Sequence, residues 1–316
     1  MNTILPLGHL GLLDSVPLLV AQKHGFFTAA GLQVELHCEL GLASLGAKLA
    51  EDRLAGACLP APLPVLLSLG LGRARVAVES VLIVSYQDLA IACPPPSAAR
   101  SPAPARPLRL GVLGSASPSR FVLQRWLEQK QRHPAEAVTI IPLAVSQLLA
   151  FLGDGVIDGF CAEDPLPALA ACGDRVMQVT SSGEFAPMHP GSAVVLHAKV
   201  LRQNPGLRPA LTHALQRACR YCSDPAHHEE LWSLIRDQPA LAHLHASAGS
   251  PDEAAPLAWP DAAPRCGVRY LGPDTPHGLD VAGAGFLERA CRAMAGAGAR
   301  HTDFRVEIAR VYGVGA

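Results

Sequence analysis

Apolar residues along this chain come in short runs whose spacing switches between that of a strand and that of a helix. Residues 4–10 form a near-continuous apolar run of strand length. Asp14 and Ser15 stand where helix caps stand. They precede an apolar-periodic stretch over 16–24, with Pro17 in its first turn and Gly25 at its stop. Residues 32–37 alternate as a strand, 44–51 read as a helix, 55–59 as a short strand, and 63–69 as a helix between Pro62 and Gly70. Residues 76–84 and 89–92 are strand-like again. Alternation of this kind predicts an α/β fold with a doubly wound sheet.

The rhythm breaks at 94–107, PPPSAARSPAPARP, which sustains neither a helix nor a central strand. A second α/β unit follows, with strand 108–113, helix 118–131, strand 138–143, helix 146–153, strand 157–161, helix 165–172 and strand 175–180. Residues 193–197 are expected to form a crossover strand. Beyond Lys199 helices dominate, over 207–222, 227–235, 281–294 and 302–311, while 246–278 is rich in Pro, Gly and Ala and reads as loop. The pattern predicts two lobes. Residues 1–92 are the N-terminal part of the first, 93–107 a Pro-rich linker and 108–190 the second. Residues 191–316 return to the first lobe and add C-terminal helices. Linkers near 93–107 and 186–196 then permit hinge motion about a ligand cleft between the lobes.

Composition narrows the function classes. At 316 residues the chain is long enough for two domains. Hydrophobic residues at 49% against 17% charged supply a full core and exclude disorder. A formal net charge of −1 argues against direct nucleic-acid contact. No run of 18 apolar residues lacks a charge or a breaker, so no membrane span is expected. The first residues carry no basic segment ahead of the apolar run, and the expected location is the cytoplasm. Nine cysteines, an odd number scattered along a chain of this length, do not make a disulfide framework.

Two loop-to-helix junctions hold the candidate chemistry: Gly41-Leu42-Ala43-Ser44 in the first half, and Gly114-Ser115-Ala116-Ser117-Pro118-Ser119 in the second. Small residues at a helix N-terminus leave backbone N–H groups open, and with the helix dipole these favour an anion. Serine hydroxyls add donors. For either junction alone, ordinary N-capping is the plain alternative. Across the cleft Leu42, Ala43, Ser44, Leu89, Ser115, Ser117, Cys161 and Glu163 are expected to face one another. Cys219-Arg-Tyr-Cys222 is a lone CxxC in a helical pattern. It lacks the second pair a zinc site needs and reads as a structural helix face. Glu163-Asp164 is a possible carboxylate pair, read here as a cap before Pro165, and His9 on its apolar run reads as core. A nucleophile elbow, a Walker loop and a dinucleotide fingerprint are all missing, so no enzyme activity, cofactor or metal is expected.

Several segments together resemble a known family. They are Asp14-Ser-Val-Pro17-Leu-Leu-Val-Ala-Gln-Lys-His-Gly25-Phe26-Phe27, Gly31-Leu-Gln-Val-Glu-Leu, Leu59-Pro-Ala-Pro62, Gly159-Phe-Cys161, Glu163 with Pro165, His189-Pro190 and Ala218-Cys-Arg-Tyr-Cys-Ser-Asp-Pro225. The order and content resemble the nitrate/bicarbonate-binding (NrtA/CmpA/NasS-type) branch of ABC-transporter solute-binding proteins over residues 4–236. The resemblance implies a periplasmic-binding-protein-like type II fold, with two lobes and a central cleft for a small inorganic anion. It further implies a leaderless sensor of nitrate or nitrite acting in nitrogen regulation through an RNA-binding antiterminator-type regulatory protein. For the site, the resemblance implies that Leu42 stands where relatives carry a tryptophan that closes over the anion. Gln87 and Leu89 fall near an expected polar amide, and Gly191-Ser192 replaces a lysine after His-Pro. Those departures imply nitrate affinity weaker than in the relatives, or a different ligand. Three rivals follow from the same resemblance: an extracytoplasmic transporter subunit, a paralogue that binds its partner without ligand, and a thiamine-pyrimidine-synthase-like enzyme. The cysteine-dense iron motif of that enzyme is missing here.

Overall fold

The computed structural model describes residues 4–71, 74–86, 89–93, 107–114, 117–130, 138–163, 166–167, 177–184, 186–236, 238, 269–272, 278–299 and 301–314. The chain opens with strand β1 (Ile4–His9), helices α1 (Val16–Lys23) and α2 (Phe26–Ala29), strand β2 (Gln33–Cys38), helix α3 (Leu42–Ala50), strand β3 (Gly56–Pro60) and helix α4 (Pro62–Leu69). Strands β4 (Val78–Ile83), β5 (Ser85–Tyr86) and β6 (Leu89–Cys93) follow. The second α/β run comprises β7 (Leu108–Leu113), α5 (Pro118–Lys130), β8 (Val138–Leu143), α6 (Val145–Gly153), β9 (Gly159–Glu163) and β10 (Met177–Ser181). The rest is β11 (Ser192–His197), α7 (Ala198–Gln203), α8 (Leu207–Cys222), α9 (His228–Arg236), β12 (Arg269–Tyr270), α10 (Val281–Ala295) and α11 (Phe304–Tyr312).

Two five-stranded sheets result, and they share one plan. The first runs β2-β1-β3-β11-β4 and the second, read in the matching sense, β8-β7-β9-β6-β10. In each, the first three strands are parallel and the fourth is antiparallel to both of its neighbours. This is the two-lobed type II arrangement. The fourth strand is exchanged: β11 follows the second unit but completes the first sheet, and β6 follows the first unit but completes the second.

The exchange corrects one expectation. The strand at 89–92 was assigned to the first lobe, yet it pairs with β9 and β10 of the second sheet. Leu89–Cys93 is buried along its whole length, so its pattern does not distinguish one sheet from the other. The first passage between the sheets therefore falls between Tyr86 of β5 and Leu89 of β6, ahead of the Pro-rich segment. The second falls between β10 and β11. Two expected loops also change. A two-stranded ribbon, β5 with β12, occupies part of 246–278, and the short helix α2 lies where none was predicted. Residues 94–106, most of the 165–172 helix and all of 246–268 lie outside the described residues.

Each exchanged strand passes over a glycine. A Cβ placed on Gly56 of β3 would sit 2.2 Å from the Val195 carbonyl oxygen of β11. One on Gly159 of β9 would sit 2.3 Å from the Ala92 carbonyl oxygen of β6. Backbone cannot yield as a flexible side chain does, so Gly56→Ala and Gly159→Ala are each expected to cost about 1–3 kcal/mol. Gly206→Ala, with open space around the added carbon, is expected to stay within about 0.5 kcal/mol of wild type. Urea unfolding of the three variants checks this. Equal stability of Gly56→Ala and Gly206→Ala would remove the close approach from the account.

Candidate functional site

A cavity of about 250 Å³ lies where the two sheets present the carboxyl ends of matching strands. Leu10 follows β1, and Gly41, Leu42 and Ala43 join β2 to α3. Leu113 and Gly114 close β7, and Pro142, Leu143, Ala144 and Val145 join β8 to α6. Crevices at these strand ends are where ligands bind in open α/β sheets. The described wall is made of backbone and apolar side chains and carries no charged group.

Two helices start at this cavity, and at neither does an N-cap side chain accept a first-turn N–H. Gly41 and Ala144 hold the N-cap positions of α3 and α6 in extended backbone, and neither has a side-chain oxygen to accept a first-turn N–H. Gln147 Oε1 accepts from the Ala144 amide at 3.0 Å, which is only the returning half of a capping box. Ser44 donates its hydroxyl back to the Gly41 carbonyl at 3.0 Å and does not cap α3 either. The positive ends of two helix dipoles therefore meet at the cavity region. Lys48, on the last turn of α3, forms an ion pair with buried Glu39, so its charge is held away from the helix start.

Of the residues singled out from the sequence, Leu42 and Ala43 line this cavity. Ser44 lies beside them. Ser117 and Ser119 are fully buried below the Gly114 turn: Ser117 donates to the Gly114 carbonyl at 3.3 Å, its oxygen lies 2.6 Å from Ser119 Oγ, and Ser119 accepts from the Leu113 amide at 3.1 Å. Leu89, Cys161 and Glu163 are buried in the second sheet, with Leu89 opposite Glu163, and do not line the cavity. Ser192 heads β11 and is committed to a different partner, described below. Gln87 and Ser115 lie outside the described residues, as does Asp164. Leu10, Leu113 and residues 142–145 were not anticipated. The start of α6 carries no Ser, Thr, Asp or Asn cap, so the sequence placed it one residue late. The CxxC pair sits inside α8 with both thiols buried, which pushes Cys219 up to about 12 and Cys222 well above its ordinary value. Among the described residues no cluster of three or more His, Cys, Asp or Glu is placed to hold a metal.

Several buried polar groups meet at or beside the passages between the lobes. Asp14 does not cap α1. Its Oδ2 accepts from Ser192 Oγ at 2.7 Å, and Ser85 Oγ accepts from the Ser192 amide at 2.9 Å. Asp14 Oδ1 has no hydrogen-bond partner among the described residues, and burial raises the carboxyl above its ordinary range. The two passages touch through a bridge between Tyr86 and Pro190, and Tyr270 donates to the Leu13 carbonyl at 2.7 Å. On the second passage, the His189 ring faces the Pro190 carbonyl across Nδ1 (3.0 Å) and Ser182 Oγ across Nε2 (2.6 Å). Because a carbonyl only accepts, Nδ1 carries the proton. His189 stacks on Phe286 of α10 at 4.3 Å, and Phe286 meets Phe121 of α5 edge-on at 5.6 Å. Helix α10 packs on α4 of the first half and α5 of the second, so this aromatic run spans the lobes.

Comparison with known proteins agrees with the architecture. A model of the NMT1-like family matches residues 2–236. The bicarbonate transport ATP-binding protein CmpC of Synechococcus elongatus is 30% identical over 75% of this chain, and the match covers 38% of that protein. The nitrate/nitrite binding protein NrtA of Synechocystis is 22% identical over 74% of this chain and 56% of its own length. The chain thus spans about two-fifths to somewhat over half of the curated relatives it matches. Among solved structures, the periplasmic nitrate-binding protein NrtA from Synechocystis superposes with a TM-score of 0.79 at 18% identity, covering 98% of this chain and 86% of that one.

Asp14 and the buried histidines tie stability to pH with opposite signs. The unfolded chain ionises Asp14 near pH 4, before the folded chain does, so its contribution falls as pH rises from there through the raised folded value. Asp14→Asn is therefore expected to raise the unfolding midpoint at pH 7, with the gain vanishing below about pH 4. His9 and His189 are held down at about 4 by burial against about 6.5 unfolded, so the unfolded chain takes up protons first as pH falls. Stability is expected to drop between about pH 6.5 and 4, by on the order of 3 kcal/mol for each. Unfolding midpoints across pH 3.5–8 for wild type and Asp14→Asn check both signs. An Asp14→Asn variant less stable than wild type at pH 7 would show that the carboxyl is compensated.

Proposed function

The chain belongs to the NMT1-like family, and on that premise we propose that it is a solute-binding-protein-like sensor. Its two lobes close on a small anion, with nitrate or nitrite as the first candidate, and a protein partner in nitrogen regulation reads the occupied state. The observation that carries this reading is the pair of uncapped helix starts, one from each half, at a single cavity. An anion between them sits in the field of two helix dipoles. The proposed contacts are backbone donors at 43–44 and 145–146, and the reading assigns no bond-making chemistry to the cleft. Lacking a charge-assisted partner on the described wall, the anion is held weakly compared with one gripped by Arg or Lys.

Weak binding suffices for signalling. A ligand moves an open–closed equilibrium only by its differential affinity for the two states. A coupling of about 1–3 kcal/mol is about 5–150-fold in partner affinity. In this reading the lobes move about the two passages between the sheets, and an RNA-binding antiterminator-type regulator docks on one lobe arrangement. Placement in the cytoplasm is part of the proposal. It draws support from the relatives at 28–30% identity, which are named ATP-binding proteins of bicarbonate and nitrate import, because ATP-binding subunits work where ATP is. The likeness to a periplasmic nitrate-binding protein supports a second reading, the extracytoplasmic subunit of an importer.

Ala43→Glu tests the proposal. Ala43 is exposed on the first turn of α3 and lines the cavity. A carboxylate there suits the helix dipole, so the fold is expected to hold. It also repels an anion from the same amides. Calorimetry is expected to show nitrate affinity falling at least about tenfold, and pull-downs to show partner binding that no longer responds to nitrate. Partner capture that ignores nitrate in wild type would remove the sensor reading and favour the importer subunit.

A further inference from the structure

We propose that helices α10 and α11 form a strap, fixed to the first lobe and reaching the second through the Phe286–Phe121 contact, and that this contact sets how readily the lobes part. Both helices lie beyond the stretch that the family model matches. Their attachment to the first lobe is directional and runs the length of α4. Tyr312 donates to the Ala61 carbonyl, and Cys291 Sγ to the Pro62 carbonyl at 3.6 Å, both at the start of α4. Arg310 donates to Ser68 Oγ near its end. Arg305 of α11 pairs with Glu288 of α10 at 2.8 Å, which ties the two helices to each other. Directional bonds at both ends of α4 hold a register, so the strap moves with the first lobe.

Toward the second lobe the strap presents an aromatic ring. Helix α10 packs on α5, where Phe286 and Phe121 meet edge-on with centroids 5.6 Å apart and both side chains buried. Apolar contact is non-directional and is lost when its two faces separate. Phe286 also stacks on His189, in the second passage, at 4.3 Å. One turn earlier α10 runs against the same passage: a Cβ on Gly283 would stand 3.2 Å from Pro190 Cδ. Pro190 in turn bridges to Tyr86, at the edge of the first passage. Phe286 thus sits where the strap, the second lobe and the meeting point of the two passages adjoin. A hinge movement that carries α5 away from α4 pulls Phe121 off Phe286 and wets both rings, which favours the arrangement seen here. Loss of an edge-on aromatic pair is expected to shift such an equilibrium about 2- to 13-fold. The movement needs no anion in the cleft, so the inference stands or falls separately from the ligand reading.

Single-molecule energy transfer on the full chain without added anion tests this. Fluorophores attached through non-canonical residues at exposed Ala47 of α3 and Asp154 after α6 report the distance between the lobes, and circular dichroism checks folding. Phe286→Ala and Phe121→Ala are each expected to raise the population with separated lobes about 2- to 13-fold. The double variant is expected to raise it no further than the larger single change, because both remove the same contact. Phe286→Leu keeps apolar bulk without the ring and is expected to fall between; it decides the matter if an alanine variant does not fold. Val306→Ala, exposed on α11, is expected to match wild type. A wild-type distance distribution in Phe286→Leu and in every folded alanine variant overturns the strap. An equal shift in Val306→Ala overturns it too, as does a double variant whose shift is the product of the single ones.

Discussion

The exchange of one antiparallel strand between two otherwise self-sufficient α/β units is the constraint on which the rest of this molecule depends. β11 lies between β3 and β4, and β6 between β9 and β10, so neither sheet is complete without chain from the other side. Gly56 and Gly159 sit where the exchanged strands come closest, and their matched positions show the same packing problem solved twice. Two chain passages between the sheets are the necessary consequence.

Buried polar groups gather around those passages, where Asp14, Ser192, Ser85, Ser182 and His189 lie in contact with one another or with main chain. Buried polar groups in a low-dielectric setting have narrow geometric tolerance, since a lost partner costs the full desolvation of the group left behind. An arrangement of that kind favours discrete lobe positions over continuous sliding. The His189–Phe286–Phe121 run adds a packed aromatic contact across the same boundary.

The cleft is electrically simple by comparison. Charge near it is neutralised locally, as with Lys48 and Glu39, and the described wall offers main-chain donors set among leucines. Leu42, at the first position of α3, contributes apolar surface to this wall.

Local pattern was sufficient for much of this. Helix α8 over Leu207–Cys222 has the bounds its amphipathic period predicts, and the strands β7 and β8 have theirs, because periodicity against water is a property of neighbouring residues. The resemblance to the nitrate/bicarbonate branch, carried by short motifs, implies the two-lobed plan that the sheets show. Tertiary structure decided the rest. Leu89–Cys93 is apolar at every position, so either sheet would bury it, and only the competition for pairing edges assigned it to the second. Asp14 looks like a cap from its neighbours, but its hydrogen-bond partner lies 178 residues away. Ala144 and Val145 start a helix without any capping side chain, and they reach the cavity only because β8 lies beside β7. Sequence determines which segments are helix or strand through local burial and backbone preference. Which strand joins which sheet, and so which residues meet at the cleft, is set by long-range pairing that no local window contains.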